Sequence, residues 1–303
     1  MKRLIIIFVI ILLFIYVLLS LLSFRGDYCA QRELWWIDRK LDFIASHRES
    51  IPDYIINQLA NRYRIYAKRY NGSSYAQSAQ LMIGNLYSLR NELPEARLEY
   101  QKALGIDKEL SAQAELAIAK TYEAEGHWDQ ALVIYKGIIQ NYPVTTSGFS
   151  LPLYLTRHAV AVGDQKAYTD EADANALLFY QRIAVNNPKS KLEYNALMML
   201  TICQLNQKDW SGTVKTMGEI MLKYPFGKSI QQMVRAINLL CVTKLHDYDM
   251  GINIYRQFIQ KYPTHLADPY LKKMIKDLQV LKNKKLIIQI APKGNDRHAS
   301  FTK

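Results

Sequence analysis

Residues that make disulfides, turns and breaks are scarce here: three cysteines, thirteen glycines and nine prolines in 303 residues. Cys29, Cys203 and Cys241 are too few and too widely spaced for a disulfide framework or a zinc site. So little glycine and proline argues against a turn-rich β architecture and for long helices. The histidines His47, His127, His158, His246, His265 and His298 stand apart, and none forms a His-x-x-Glu-His or Cys/His cluster. A glycine-rich phosphate loop and a Gly-x-Ser-x-Gly elbow are both missing. The expectation is a chain that is not an enzyme, with no catalytic, cofactor-binding or metal-binding residues.

Charge is missing from one long stretch. Leu4 to Ser23 runs for twenty residues without a charged side chain, preceded by the short flank 1–3. At about 1.5 Å per helical residue it is roughly 30 Å long, the thickness of a bilayer's hydrocarbon core. It exceeds the apolar core of about 7–15 residues in a signal peptide, and no small-residue cleavage site follows in Phe24–Tyr28. An uncleaved single-pass transmembrane anchor over 4–23 is expected, with a long cleaved signal peptide as the alternative. Lys2 and Arg3 before the run, against Arg25 just after it, place the remainder outside the cytoplasm, in a periplasmic setting. Arg32, Arg39 and Lys40, further along, weaken that asymmetry. Trp35 and Trp36 fit either the membrane interface or packing on the first helix that follows.

Beyond the anchor, apolar periodicity is helical. Leu34, Ile37, Leu41 and Ile44 recur at 3–4 spacing, and a second helix is expected over Tyr54–Tyr70. Pro143, Pro188, Pro225 and Pro263, spaced 45, 37 and 38 residues apart, each follow an Asn-Tyr, Asn-Asn or Lys-Tyr pair and mark a helix stop. Between stops the chain repeats a small-residue helix, a short turn and a second helix. The clearest copies are Gln77–Lys108, with Gly84 and Tyr87 then Ala96, Tyr100 and Ala103, and Ala112–Pro143, with Ala119 and Tyr122 then Ala131, Tyr135 and Ile138. Later copies drift. Thr201, Gln204 and Thr213 replace the small, Tyr and Ala positions, Leu239, Val242 and Gly251 depart likewise, and an insertion is expected around Gly163–Asp173. Trp128 and Trp210 open second helices, where packing explains them. Cys203 and Cys241 share a repeat position and are expected to be buried free thiols.

On these residues the chain resembles the tetratricopeptide repeat family. The resemblance implies an all-α, right-handed α-solenoid: juxtamembrane helices forming a degenerate first repeat over 24–74, repeats over 75–263, a capping helix over 264–285 and a basic flexible tail over 286–303. Leu286–Ile290 reads equally as a helix end or a strand. The repeat arrangement is also similar to bacterial envelope lipoproteins that scaffold β-barrel assembly. Gly26-Asp27-Tyr28-Cys29, however, does not match their lipidation box in the two positions before the thiol.

In the family's register the groove-facing positions hold Asn85, Ser88, Lys120, Glu123, Asn195, Asn206, Thr243 and Lys244. Leu81, Leu116 and Met198 stand where the carboxylate-clamping members carry lysine, so that ligand class is not expected. The implied function is a membrane-anchored scaffold for protein partners in the cell envelope. The rivals are an accessory subunit of a membrane enzyme or secretion complex, and an envelope-structural protein that holds an anionic surface by its basic end. Asp268 to Lys303 carries nine basic residues against three acids, half of the chain's net +12. Lys272, Lys273, Lys276, Lys282, Lys284 and Lys285 would meet acidic lipid or a cell-wall polymer. A solvated tail is the simpler account of them. Nucleic acid is not expected as a partner.

Overall fold

The computed structural model describes residues 10–17, 27–47, 52–162, 166–225 and 230–290, and every regular element among them is a helix. Of the expected anchor only residues 10–17 are described; they are helical and exposed, and the rest of 4–23 lies outside the described residues. No helix among the described residues is long and apolar enough to cross a membrane. The chain divides into two compact units, Met1–Leu151 and Pro152–Lys303.

The first unit contains α1 (Asp27–Ser46), α2 (Asp53–Arg69), α3 (Ser74–Leu89), α4 (Leu93–Lys102), α5 (Lys108–Ala124) and α6 (Trp128–Asn141), followed by the start of α7 (Thr146–Val162). The 3–4 stripe of α1, Leu34, Ile37, Leu41 and Ile44, is buried against Ile56, Leu59, Tyr63 and Tyr66 of α2 and Ile83 and Leu86 of α3. From α1 to α6 each helix touches its neighbour, and α1 and α3 also touch α3 and α5. That is the contact pattern of stacked helix pairs, each burying the face the next one leaves open.

Close approach within a pair has an atomic reason. Ala96 and Ala131 are fully buried. A Cβ added to Gly84 would run into the Tyr100 ring, so α3 and α4 meet at this spacing only because position 84 has no side chain. Side chains cap the helix starts: Ser73 Oγ accepts from the Ala76 N–H at 3.2 Å, and Asp107 Oδ1 from the Glu109 and Leu110 N–H groups at 2.9 and 3.1 Å.

The second unit contains α8 (Lys166–Asn186), α9 (Lys191–Asn206), α10 (Trp210–Lys223), α11 (Ile230–Leu240), α12 (Tyr248–Lys261) and α13 (Asp268–Ile290). Here α8 packs on α9, α9 on α10, α10 on α11 and α12, and α12 on α13. All four proline stops act as read: α6, α8, α10 and α12 each end two residues before Pro143, Pro188, Pro225 and Pro263. Of the expected insertion around Gly163–Asp173, residues 166–173 are helical and form the start of α8; residues 163–165 lie outside the described residues. Pro152 sits inside α7, where it can donate no hydrogen bond to the turn before it, and the two units divide there.

Helix α11 closes in a π-helical turn, Cys241–Leu245, that the periodicity does not announce. Leu286–Ile290 is helical, so α13 runs five residues past the expected end of the capping helix; residues 291–303 lie outside the described residues. Cys203 and Cys241 are buried free thiols, each raised by burial to about 11.

Candidate partner-binding cleft

The helix-B tyrosines organise the repeats. Tyr100, Tyr135, Tyr180 and Tyr255 occupy one register position and all are buried. A buried phenol needs a partner for its hydroxyl, and each reaches back to the preceding A helix or its equivalent. Tyr100 donates to Asn85 Oδ1 at 2.9 Å, Tyr135 to Glu123 Oε2 at 2.6 Å, and Tyr255 to the Val234 carbonyl at 3.0 Å and to Asn238 Oδ1 at 2.8 Å. Tyr180 bonds to the Leu153 backbone. Burial pushes the Tyr100 hydroxyl up to about 12, so it stays a donor across the physiological range.

Two of the expected groove residues are therefore partly committed inward. Asn85 gives its carbonyl oxygen to Tyr100, and its amide nitrogen lies 3.5 Å from Met82 Sδ. Glu123 gives an oxygen to Tyr135. Asn85 and Ser88 from α3 and Lys120 from α5 nevertheless converge on one open cleft of 380 Å³. Leu81, Met82, Leu116 and Ala117 supply its apolar lining. Glu123 does not line this cleft. Of the eight groove residues expected, three meet in one place, from two successive repeats.

In the second unit, Asn195 is half-buried on α9, while Asn206, Thr243 and Lys244 are exposed. Thr243 and Lys244 lie in the π-helical turn. The Thr243 hydroxyl donates to the Leu239 carbonyl at 2.7 Å, and the Lys244 ammonium sits 5.7 Å from the Trp210 ring centroid. Trp210 is thus partly covered, and Trp128 packs 5.9 Å from the Tyr135 ring.

The basic end is less available than its charge count suggests. Lys272 pairs with Asp268 at 2.8 Å and Lys282 with Asp249 at 2.7 Å. Lys273, Lys276 and Lys284 are exposed on α13, and the Lys285 side chain lies outside the described residues.

Arginines clamp successive pairs in the first unit, a feature the sequence reading missed. Arg97 of α4 forms two hydrogen bonds with Glu125, at 2.7 and 3.2 Å, and lies 4.4 Å from the Tyr122 ring centroid on α5. Arg64 of α2 donates to the Tyr87 hydroxyl at 2.7 Å and lies 5.9 Å from that ring. The helix-A tyrosines at 87 and 122 are thus the partners of these arginines. An arginine on the preceding helix in each case was the available signal.

Chemically the cleft offers the amides of Asn85 and Gln113, the hydroxyls of Ser88, Tyr100 and Thr121 and the Lys120 ammonium among apolar walls. No group of three His, Cys, Asp or Glu suited to a metal ion occurs among the described residues.

A family model for the tetratricopeptide repeat matches residues 113–143, which is α5 with α6 and its proline stop. No curated protein matches the chain. Among solved structures, it is similar to a chain in the crystal structure of the APC/C hetero-tetramer Cut9-Hcn1, at 15% identity and a TM-score of 0.28. That match covers 82% of this chain and 54% of the other, so it spans about half the length of that solved chain.

Proposed function

We propose that the chain is a non-catalytic, membrane-anchored scaffold in the cell envelope, whose repeats stack as a right-handed solenoid and hold a protein partner. The observation that carries this reading is the cleft where Asn85, Ser88 and Lys120 meet over an apolar floor. An extended segment or helix laid on such a surface would bury its apolar side chains and be oriented by the polar groups. The tetratricopeptide repeat at 113–143, a module that binds protein partners, supports the same reading. The uncharged run Leu4–Ser23 supports the anchor, and the basic residues before it support a periplasmic solenoid. The rival reading, capture of an anionic surface by the basic end, loses two of its six lysines to Asp268 and Asp249.

Photo-crosslinking in native membranes tests the proposal. A photoreactive residue at Lys120 should give a discrete polypeptide adduct, and the same residue at exposed Val133 on α6 should not. Equal labelling at both positions, or none at Lys120 while removal of residues 268–303 releases every bound component, would overturn the scaffold in favour of the basic end.

A further inference from the structure

Helix α1 has two faces, and only one is used by the fold. Ala30, Leu34, Ile37, Leu41 and Ile44 are buried. On the other side Trp35, Trp36 and Phe43 are 50%, 58% and 61% exposed, interleaved with exposed Arg32, Arg39 and Lys40. The positions 32, 35, 36, 39, 40 and 43 repeat at helical spacing, so they form one stripe. It is an ordered stripe: the Trp35 and Trp36 rings meet edge to face at 4.9 Å, and the Arg39 guanidinium lies 4.9 and 5.9 Å from their centroids.

Two acids of α1 are engaged by side chains of α2 and its C-cap. Glu33 is held by Arg69 at 2.8 Å and by the Tyr70 hydroxyl, and Asp38 accepts from the Tyr63 hydroxyl at 2.7 Å; Asp42 is exposed. Among the described residues no carboxylate pairs with Arg32, Arg39 or Lys40. Arg62 and exposed Ile65 of α2 extend the surface: with Arg32, Trp36 and Lys40, and with Glu33 already paired to Arg69, they line an open cleft of 620 Å³.

We infer that this face lies flat on the headgroup layer of an anionic phospholipid membrane. The inference rests on the anchor reading of Leu4–Ser23. Two observations choose a membrane over a protein partner. First, α1 begins at Asp27, four residues after the apolar run ends, and at about 3.6 Å per extended residue its first turn stays within roughly 15 Å of the bilayer. Second, tryptophan with arginine and lysine is the composition of the water–lipid boundary: the indoles sit at headgroup depth and the cations pair with phosphate. Held this way, α1 fixes how the first repeat stands on the membrane.

The test uses the full chain in vesicles, with Trp128→Phe and Trp210→Phe leaving Trp35 and Trp36 as the reporters. In vesicles containing brominated phosphatidylglycerol, their emission should fall by about twofold or more relative to unbrominated vesicles. The triple change Arg32→Glu, Arg39→Glu, Lys40→Glu should remove most of that quenching. The variant should still resist alkaline extraction and keep the parent's helical circular dichroism, because the face is exposed. Unquenched tryptophans in protein that resists extraction would overturn the inference while leaving the anchor standing. Extraction at alkaline pH would sink the anchor reading instead. The contact would then stand on quenching by phosphatidylglycerol but not phosphatidylcholine vesicles, and would fall without it.

Discussion

In the pair α3–α4 the turn between helices passes through Asn91, and in α5–α6 through Gly126; in α9–α10 it passes through Lys208, and in α11–α12 through His246. All four have positive φ, at 62°, 80°, 59° and 53°, and each lies five residues before the small residue of its second helix, Ala96, Ala131, Thr213 or Gly251. The first unit keeps the repeat's residues and the second has largely lost them, yet the local turn is the same. What persists is backbone geometry, and side chains of other kinds are made to fit it. Thr213 fits an alanine site because its hydroxyl donates to the Asp209 carbonyl at 2.7 Å, and Thr201 fits a small site by donating to Leu197 at 2.9 Å. Gln204 fits less well: it stands where Tyr87 and Tyr122 stand, and its buried Oε1 accepts no hydrogen bond.

The sharpest way to break this equivalence is to empty its centre. Tyr135→Ala should destabilise the first unit by about 3–5 kcal/mol, as deletion of a buried aromatic does. Tyr135→Phe, which keeps the ring and removes the hydroxyl that bonds to Glu123, should cost about 1 kcal/mol. Both are read from urea denaturation followed by helical circular dichroism. Equal losses would mean that the hydroxyl, not the ring, holds the pair.

Next in size is overpacking. Ala131→Leu and Ala96→Leu should each cost about 1–3 kcal/mol, whereas the exposed neighbour Val133→Ala should stay within about 0.5 kcal/mol. Thr213→Leu in the second unit should fall in the same range as the alanine sites. If it proves silent, the two units are not packed alike and the shared register is only a likeness of turns.

These tests lean on what was legible in the sequence. Proline stops, small residues and buried tyrosines are local signals, and Pro143, Ala96, Ala131 and Tyr100 all act as their spacing indicated. The helical start of α8 was not legible, because an insertion inferred from the repeat register carries no signal of whether its residues are helical. Nor was the π-helical turn at Cys241–Leu245, which leaves apolar spacing almost unchanged while shifting the backbone. The groove was only partly legible. Register tells which face Glu123 occupies, but whether its carboxylate faces solvent or accepts from Tyr135 depends on a hydrogen bond across two helices. Likewise, a count of lysines in α13 cannot show that Asp249 lies within reach of Lys282.

Acid sensitivity separates the units more finely. In the second, Glu193 is buried, and burial alone would raise its carboxyl. The Lys223 ammonium at 2.6 Å, the Tyr224 hydroxyl at 2.7 Å and the Lys189 N–H together outweigh that and hold it below the ordinary range. A depressed carboxyl contributes stability above its unfolded pKa of about 4.3 and loses it as pH falls through the folded value. Wild type should therefore lose stability as pH drops below about 5, and Glu193→Gln should flatten that limb while lowering stability at neutral pH. In the first unit, hydrogen bonds from Arg97 lower Glu125, but this carboxylate is more exposed than Glu193, so Glu125→Gln should change the limb less. A larger effect from Glu125 would reverse the assignment of the acid-sensitive unit.

The smallest effect concerns the shared turn. Left-handed backbone costs a residue with a Cβ about 1–2 kcal/mol, and glycine is spared that strain at the expense of more freedom in the unfolded chain. Lys208 and His246 bear the strain where Gly126 does not. Lys208→Gly and His246→Gly should therefore stabilise the second unit, by no more than about 1 kcal/mol once the added unfolded-state entropy is counted. Gly126→Ala should destabilise the first unit by about 1 kcal/mol, although a Cβ there would meet nothing within 4 Å. Because that space is open, any loss reports backbone strain and not a clash. Denaturation midpoints that shift in opposite directions for the two glycine exchanges would show that one turn geometry is imposed on unlike sequences. A stabilising Gly126→Ala would show instead that the turns differ in solution and that the equivalence of the units stops at the helices.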